Sequence, residues 1–294
     1  MRSKTKIFIA FILNLLFSVF ELNGGFFTGS VAITSDAVHD FGDAFGIGIS
    51  YFLEKLSGKK PNSKYTFGYA RFSVLGGLIT TMVLLVSSGI VIYNAICKII
   101  TPTLINHNGM LIFAIIGVVV NLVATYFTHG GKSINQKAVS LHMLEDVLGW
   151  IVVLIGALVI RFTGFYIIDP ILSIAVALFI IGNSIKNLIG ITNIFLIKKP
   201  NDVDVEELIE HVKHVDGVVD VHHIHVWTID GITNCATLHL VTKDFDSKIK
   251  NDVKAELNEH GIAHTTIEME SVLEDCEEKE CDITSTNTCG HHHH

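Results

Sequence analysis

The first two hundred residues of this chain divide into six apolar stretches, at roughly 6–27, 31–55, 71–99, 110–129, 138–162 and 166–189. A helix needs about 20 predominantly apolar residues to cross the hydrocarbon core of a bilayer. Backbone in lipid must also satisfy its own N–H and C=O groups, which leaves helices and closed barrels as the only spanning structures. Stretches of this length therefore read as six membrane-spanning helices in one bundle. Composition agrees, since the 294 residues are 49% hydrophobic and 17% charged, with a mean hydropathy of +0.49. Linkers carry turn chemistry at Gly58-Lys59-Lys60-Pro61, Thr101-Pro102 and Gly130-Gly131.

Basic residues set the expected orientation. Arg2, Lys4 and Lys6 precede the first span, and Lys55, Lys59, Lys60, Lys64 and Arg71 flank the loop between spans 2 and 3. Lys132 and Lys137 lie between spans 4 and 5, and Lys186, Lys198 and Lys199 follow span 6, whereas the other side has only Lys98 and Arg161. Both termini are therefore expected in the cytosol. The first apolar run is too long for a cleavable signal and lacks a small-residue cleavage site. Cys97, Cys235, Cys276, Cys281 and Cys289 show no framework of pairs and read as reduced thiols.

Spans 2 and 5 differ from the other four in their ionisable residues. Span 2 holds Asp36, His39, Asp40 and Asp43, and span 5 holds His142, Glu145 and Asp146; in the other four spans the only acidic residues are Glu21 and Asp169. An ionised Asp at the centre of a membrane helix costs roughly 2.5–3.5 kcal/mol on insertion scales. His39/Asp43 and His142/Asp146 are each separated by four residues, so each pair shares one helix face. Two such faces turned toward each other offer two imidazole nitrogens and two carboxylate oxygens. That is a set suited to a tetrahedral divalent cation, zinc above all. Transport of a cation is one reason for two carboxylates in the bilayer. Asp36, Asp40 and Glu145 read as supporting groups rather than direct ligands. They would orient the histidines, hydrogen-bond between helices, or accept protons along the way to the site.

After Pro200 the periodicity changes to that of a soluble domain. Residues 202–215 read as an amphipathic helix, and 218–229 and 232–242 as strands around Asp230-Gly231. A helix near 246–259 and a strand near 263–270 complete an αββαβ order, the pattern of a small two-layer α+β domain. The expected division is a transport domain at 1–195, an α+β domain at 196–271 and an acidic, cysteine-containing, flexible tail at 272–294. A two-residue turn would pair 229 with 232 and place His222 opposite His239 on one sheet face, within reach of a shared metal ion. Strand alternation then puts His223 and His225 on the other face, with Glu268 a further neighbour. The net charge of −8 comes largely from this part and argues against a nucleic-acid partner. Cys276, Cys281 and Cys289 in the tail either capture metal or belong to a disordered acidic segment, and His291–His294 are left out of the functional reading.

Several segments together resemble the cation diffusion facilitator family of metal transporters. They are Ser35-Asp36-Ala37-Val38-His39-Asp40-Phe41-Gly42-Asp43, Thr66-Phe67-Gly68-Tyr69-Ala70-Arg71, Gly117-Val118-Val119-Val120-Asn121 and His142-Met143-Leu144-Glu145-Asp146. The resemblance implies a homodimer that exports Zn2+, sometimes Cd2+, Co2+, Fe2+ or Mn2+, from the cytosol in exchange for protons. His39 at the first of the four positions resembles the zinc-preferring branch. The resemblance also implies a zinc site in the cytosolic domain formed by His222, His239 and Glu270. Filling that site across the dimer would draw the two domains together and regulate transport. Two departures stand out. Asn62-Ser63-Lys64-Tyr65 lacks the ligands of an extra metal site found in some members, and the loop between spans 4 and 5 has only His129 where eukaryotic relatives are often His-rich. The compact loops suggest a bacterial plasma membrane. An intramembrane metalloenzyme is disfavoured because no HExxH occurs and a closed four-ligand site has no vacancy for a reacting water. A membrane metal sensor is disfavoured because no output module follows residue 271.

Overall fold

The computed structural model describes residues 3–28, 31–101, 107–130, 132–163 and 167–273; within them, the side chains at 24–28 and 31–39 are among those outside the described set. The chain divides into two compact units, with the boundary between Phe195 and Leu196.

The first unit is entirely helical, with α1 (Ser3–Thr28), α2 (Val31–Ser57), α3 (Arg71–Ile100), α4 (His107–Thr128), α5 (Ile134–Thr163) and α6 (Ile168–Phe195). Ile7 and Ala10 of α1, Ile47 of α2, Ala124 of α4, and Val139 and Met143 of α5 form one buried cluster. Val74 of α3 packs with Ile191 and Ile194 of α6 in another. The polarity of this unit is inverted relative to a soluble bundle. Phe45, Phe52, Val86, Tyr126 and Phe179 are exposed, whereas Ser50, Thr81, Ser88, Asn135, His142 and Ser184 are almost completely buried. Lipid as the surrounding solvent accounts for that arrangement, since polar groups there must find partners inside the protein.

Among the described residues, Lys4–Asn23, Arg71–Cys97 and Ala177–Phe195 are long and apolar enough to cross a bilayer, and Ile115–Thr128 is a shorter apolar segment. The sequence led to an expectation of six spans. The described part of α2 carries Asp40, Asp43, Glu54 and Lys55, and α5 carries Lys137, Glu145 and Asp146, which lowers the apolarity of those two helices.

The second unit comprises α7 (Val205–Lys213), β1 (Val218–Thr228), β2 (Asn234–Thr242), α8 (Ser247–Glu259) and β3 (Ile262–Ser271). Asp204 starts α7 by accepting from the N–H groups of Glu206 and Glu207, and Asp246 starts α8 by accepting from Lys248 N–H. The sheet order is β1-β2-β3, antiparallel then parallel. One face buries Val221, Val226, Leu238, Leu240, Ile262 and Ile267 against Leu208 and Val212 of α7 and Val253 and Leu257 of α8. Because side chains alternate across a strand, His222 and His239 fall on the face away from these helices.

The hairpin differs from expectation in two places. Its loop spans three residues, Asp230 to Ile232, and is closed by Ile229 N–H donating to Thr233 C=O at 3.0 Å. Asp230 Oδ1 accepts from the N–H groups of Ile232 (3.0 Å) and Thr233 (2.7 Å), and Gly231 takes φ +83°. Near the loop the pairing is therefore one residue off the expected register, with Trp227 opposite Cys235. A bulge between His222 and His225 takes up that residue, so His222 does face His239.

Candidate metal centre

Helix α2 presents Asp43 toward the interior of the bundle, and α5 presents His142 and Asp146. The Nε2 of His142 lies 3.7 Å from Asp43 Oδ2 and 4.0 Å from Asp146 Oδ2. One ligand atom from each of the three falls within 4.8 Å of the others. The side chains are 2%, 7% and 16% exposed for His142, Asp43 and Asp146, so the charges sit away from solvent. Zinc with nitrogen and oxygen ligands at about 2.0–2.2 Å holds neighbouring donors about 3.3–3.6 Å apart in a tetrahedron. The two spacings from His142 exceed this by only a few tenths of an ångström, so a cation there would draw the imidazole and each carboxylate slightly together. Neither ring nitrogen of His142 makes a hydrogen bond among the described residues. Either can thus serve as the ligand nitrogen, and such freedom is unusual for a buried histidine. The backbone of α2 runs through Asp36 and His39, but those two side chains lie outside the described residues.

Of the residues expected to support the site, Asp40 and Glu145 are described and occupy neighbouring positions. Ser88 Oγ on α3 donates to Glu145 Oε1 at 2.8 Å, which ties α5 to α3 beside the site. Asp40 is half-buried on α2, three residues before Asp43. Trp150, one turn beyond Asp146, stacks edge-on against Phe17 at 5.5 Å and presses on Gly117 of α4. No local pattern foretold that contact. Further along the bundle, a buried Glu54 on α2 accepts from Ser73 Oγ at 2.6 Å, Ser133 Oγ at 3.2 Å and Asn135 Nδ2 at 3.2 Å. Asn135 Nδ2 also donates to the backbone of Ser50 at 3.0 Å, so α2 and α5 are pinned together.

The second unit gathers its own set. Glu270 Oε2 lies 3.2 Å from His222 Nε2, and Glu270 Oε1 lies 2.5 Å from His239 Nδ1. Parallel pairing of β2 with β3 sets His239 beside Glu268, whose Oε2 is 3.6 Å from His239 Nε2. Contrary to strand alternation, His223 is not on the far face. The bulge holds it at φ +51°, and its ring stacks on that of His239 at 4.7 Å with 9° between planes. His225 packs against His223 at 5.0 Å. Burial, followed by repulsion from His223 and His239, holds His225 below its usual pKa and so favours the neutral, ligand-ready ring. Cys276, Cys281 and Cys289 lie outside the described residues.

Comparison with known proteins agrees with this architecture. The model of the cation efflux transmembrane domain matches residues 7–190, and that of the cation efflux protein cytoplasmic domain matches residues 200–272. The chain belongs to the cation efflux family, also called cation diffusion facilitators, whose members are membrane transporters and not enzymes. It is 31% identical to the cadmium, cobalt and zinc/H(+)-K(+) antiporter of Bacillus velezensis, over 99% of this chain and 96% of that one. It is 31% identical to the zinc transporter ZitB of Yersinia pseudotuberculosis, over 98% and 94% of the two chains. With the metal cation efflux system protein CzcD of Cupriavidus metallidurans the identity is 29%, over 92% and 87%.

Proposed function

We propose that the chain exports Zn2+ from the cytosol in exchange for protons, with His39, Asp43, His142 and Asp146 as the four ligands. The observation that carries this reading is the convergence of Asp43, His142 and Asp146 on one small volume inside the helical unit. Two carboxylates balance the charge of Zn2+, and two neutral imidazoles complete a tetrahedral set. Ligands must be deprotonated to hold metal, so release toward an acidic compartment leaves groups that take up protons instead. Histidine, with an ordinary pKa of about 6.5, titrates in the range that such an exchange needs. All six helices of the first unit span the membrane in this reading, with both termini in the cytosol and the protein in a bacterial plasma membrane. The site would then open alternately to the two sides of the membrane.

In the same reading the chain works as a homodimer. Zn2+ bound by His222, His239 and Glu270 acts as a regulatory ligand that draws the cytoplasmic domains together. A second reading keeps the mechanism and changes the cargo to Cd2+ or Co2+, both of which accept tetrahedral nitrogen and oxygen sites. The Bacillus velezensis relative, named for cadmium, cobalt and zinc, favours including them. Zn2+ flux into proteoliposomes under an imposed pH gradient tests the proposal, with Asp146→Ala in parallel. Flux that follows the gradient and vanishes in the variant is the expected result. If His39→Asn and His142→Asn kept full gradient-driven flux, the histidines would not carry the exchanged proton.

A further inference from the structure

We propose that His211, Glu256 and His260 form a further divalent-metal site, of the zinc class, on the helical layer of the cytoplasmic domain. His211 Nδ1 lies 2.8 Å from His260 Nε2, and Glu256 Oε1 lies 3.2 Å from His211 Nδ1 and 3.4 Å from His260 Nε2. Three donor atoms from two helices thus meet at one point. A tetrahedral zinc with such ligands sets neighbouring donors about 3.3–3.6 Å apart. Two of the three spacings are already close to that, and the third needs to widen by about half an ångström.

The helices hold this triangle in place. Glu256 and His260 are four residues apart, so they share one face at the C-terminal end of α8. His211 stands on α7, three residues after Leu208 and one before Val212, both of which are fully buried in the domain core. On α8, Val253 and Leu257 are anchored in the same core. The spacing of the two helices is therefore set by apolar packing that exists before any ion arrives, and little ordering remains to be done on binding. Two neutral imidazoles and one carboxylate leave a bound Zn2+ with one net positive charge. The side chains are 47%, 29% and 21% exposed for His211, Glu256 and His260, so water can take the fourth position. This predicts an exchangeable site, unlike a closed structural one.

Without metal, an N–H on one of the two facing ring nitrogens can serve the other nitrogen or the Glu256 carboxylate, but the three contacts cannot all be hydrogen bonds at once, and a cation resolves that conflict. The site is also separate from His222, His239 and Glu270, which occupy the sheet face opposite the helices. Occupancy would fasten α7 to α8 and give the domain a second means of responding to metal.

The test counts Zn2+ equivalents bound by the full chain in detergent, by competition with a chromogenic chelator. Asp146→Ala and His239→Ala in the background weaken the other two sites, and every variant keeps the same tail. His211→Ala and His260→Ala should each remove one equivalent per chain. His214→Ala, at the exposed histidine that caps the C-terminus of α7 three residues after His211, should remove none. Glu256→Gln, which preserves size and packing, should weaken that equivalent at least ten-fold. It should also diminish the visible absorption of Co2+ used in place of Zn2+. An unchanged count in the His211 and His260 variants would overturn the site, as would an equal loss in His214→Ala. Unchanged Co2+ absorption in Glu256→Gln would do the same for the carboxylate.

Discussion

Replacing Gly117 by Ala would test whether α4 positions the proposed ligands through Trp150. A Cβ at Gly117 would fall 2.4 Å from Trp150 Cδ2, 2.7 Å from Cε2 and 2.8 Å from Cγ. Ordinary contact begins at 3.4 Å, so the indole must withdraw by about 1 Å. The atoms met are the root and fusion of the ring, and Phe17 lies against the same indole at 5.5 Å, so the ring cannot simply swing aside. The displacement passes to α5, where Trp150 is four residues after Asp146 and eight after His142, on the same face. Overpacking of this kind costs about 1–3 kcal/mol. Helix propensity returns about 1 kcal/mol when Gly becomes Ala. Net destabilisation is therefore small, from near zero to about 2 kcal/mol, and the melting temperature in detergent should fall by only a few degrees. Transport should suffer more, because a shift of about 1 Å is large beside ligand spacings of 3.7 and 4.0 Å. We expect Zn2+ flux in proteoliposomes to fall at least about ten-fold, equivalent to 1.4 kcal/mol, and to recover when Trp150→Leu is added. Wild-type flux in Gly117→Ala would refute the reasoning, and so would failure of the double variant to recover.

Three further outcomes follow from the structure. Glu54→Ala leaves the Ser73, Ser133 and Asn135 donors without their shared oxygen; the loss should be on the order of 3 kcal/mol, read as a clear drop in thermal stability in detergent, and an unchanged melting point would count against the network. Asp204→Ala removes the acceptor for two N–H groups at the start of α7 and should cost the cytoplasmic domain about 1 kcal/mol, with hydrogen exchange increasing in α7 before the sheet. The Lys213 ammonium, 2.8 Å from Asp220, holds that carboxyl below its usual 3.8. Since the unfolded chain binds that proton more readily, the pair stabilises the fold above about pH 4 and loses its effect as pH falls through the depressed value. Both groups are nearly half exposed, so Lys213→Ala should cost under about 1 kcal/mol at neutral pH and nothing at pH values where Asp220 is protonated, as unfolding curves at the two pH values would show.

The cluster of Asp43, His142 and Asp146 was legible in the sequence because the surroundings of these residues make them conspicuous. Asp43 and Asp146 interrupt apolar helices, where an unexplained charge is costly, and each has a histidine four residues earlier. That local spacing, with the polar faces of α2 and α5 needing shelter from lipid, is enough to place Asp43, His142 and Asp146 together from sequence. The contact of Gly117 with Trp150 and the Glu54 network were not legible. Each joins residues far apart in sequence, and nothing near Gly117, Ser73 or Ser133 records which neighbour it will meet.

The hairpin gives a subtler case, in which the correct pair came from two departures that cancel. Asp230-Gly231 signals a two-residue turn, yet the Asp230 carboxylate accepts from two N–H groups beyond it and so lengthens the loop by one residue. That alone would move His239 away from His222 and turn the two rings to opposite faces, because side-chain direction reverses with every residue of register. The bulge at His223 restores the pairing, and it does so by holding a histidine at φ +51°, a conformation that this residue type adopts more readily than a β-branched one. In doing so it adds the His223 ring to a face that strict alternation would deny it. A bulge that both preserves one histidine pair and delivers a third imidazole beside it ties the irregularity to the composition of the cluster. A substitution that straightened β1 would therefore disturb the pairing of His222 with His239 as well as the position of His223.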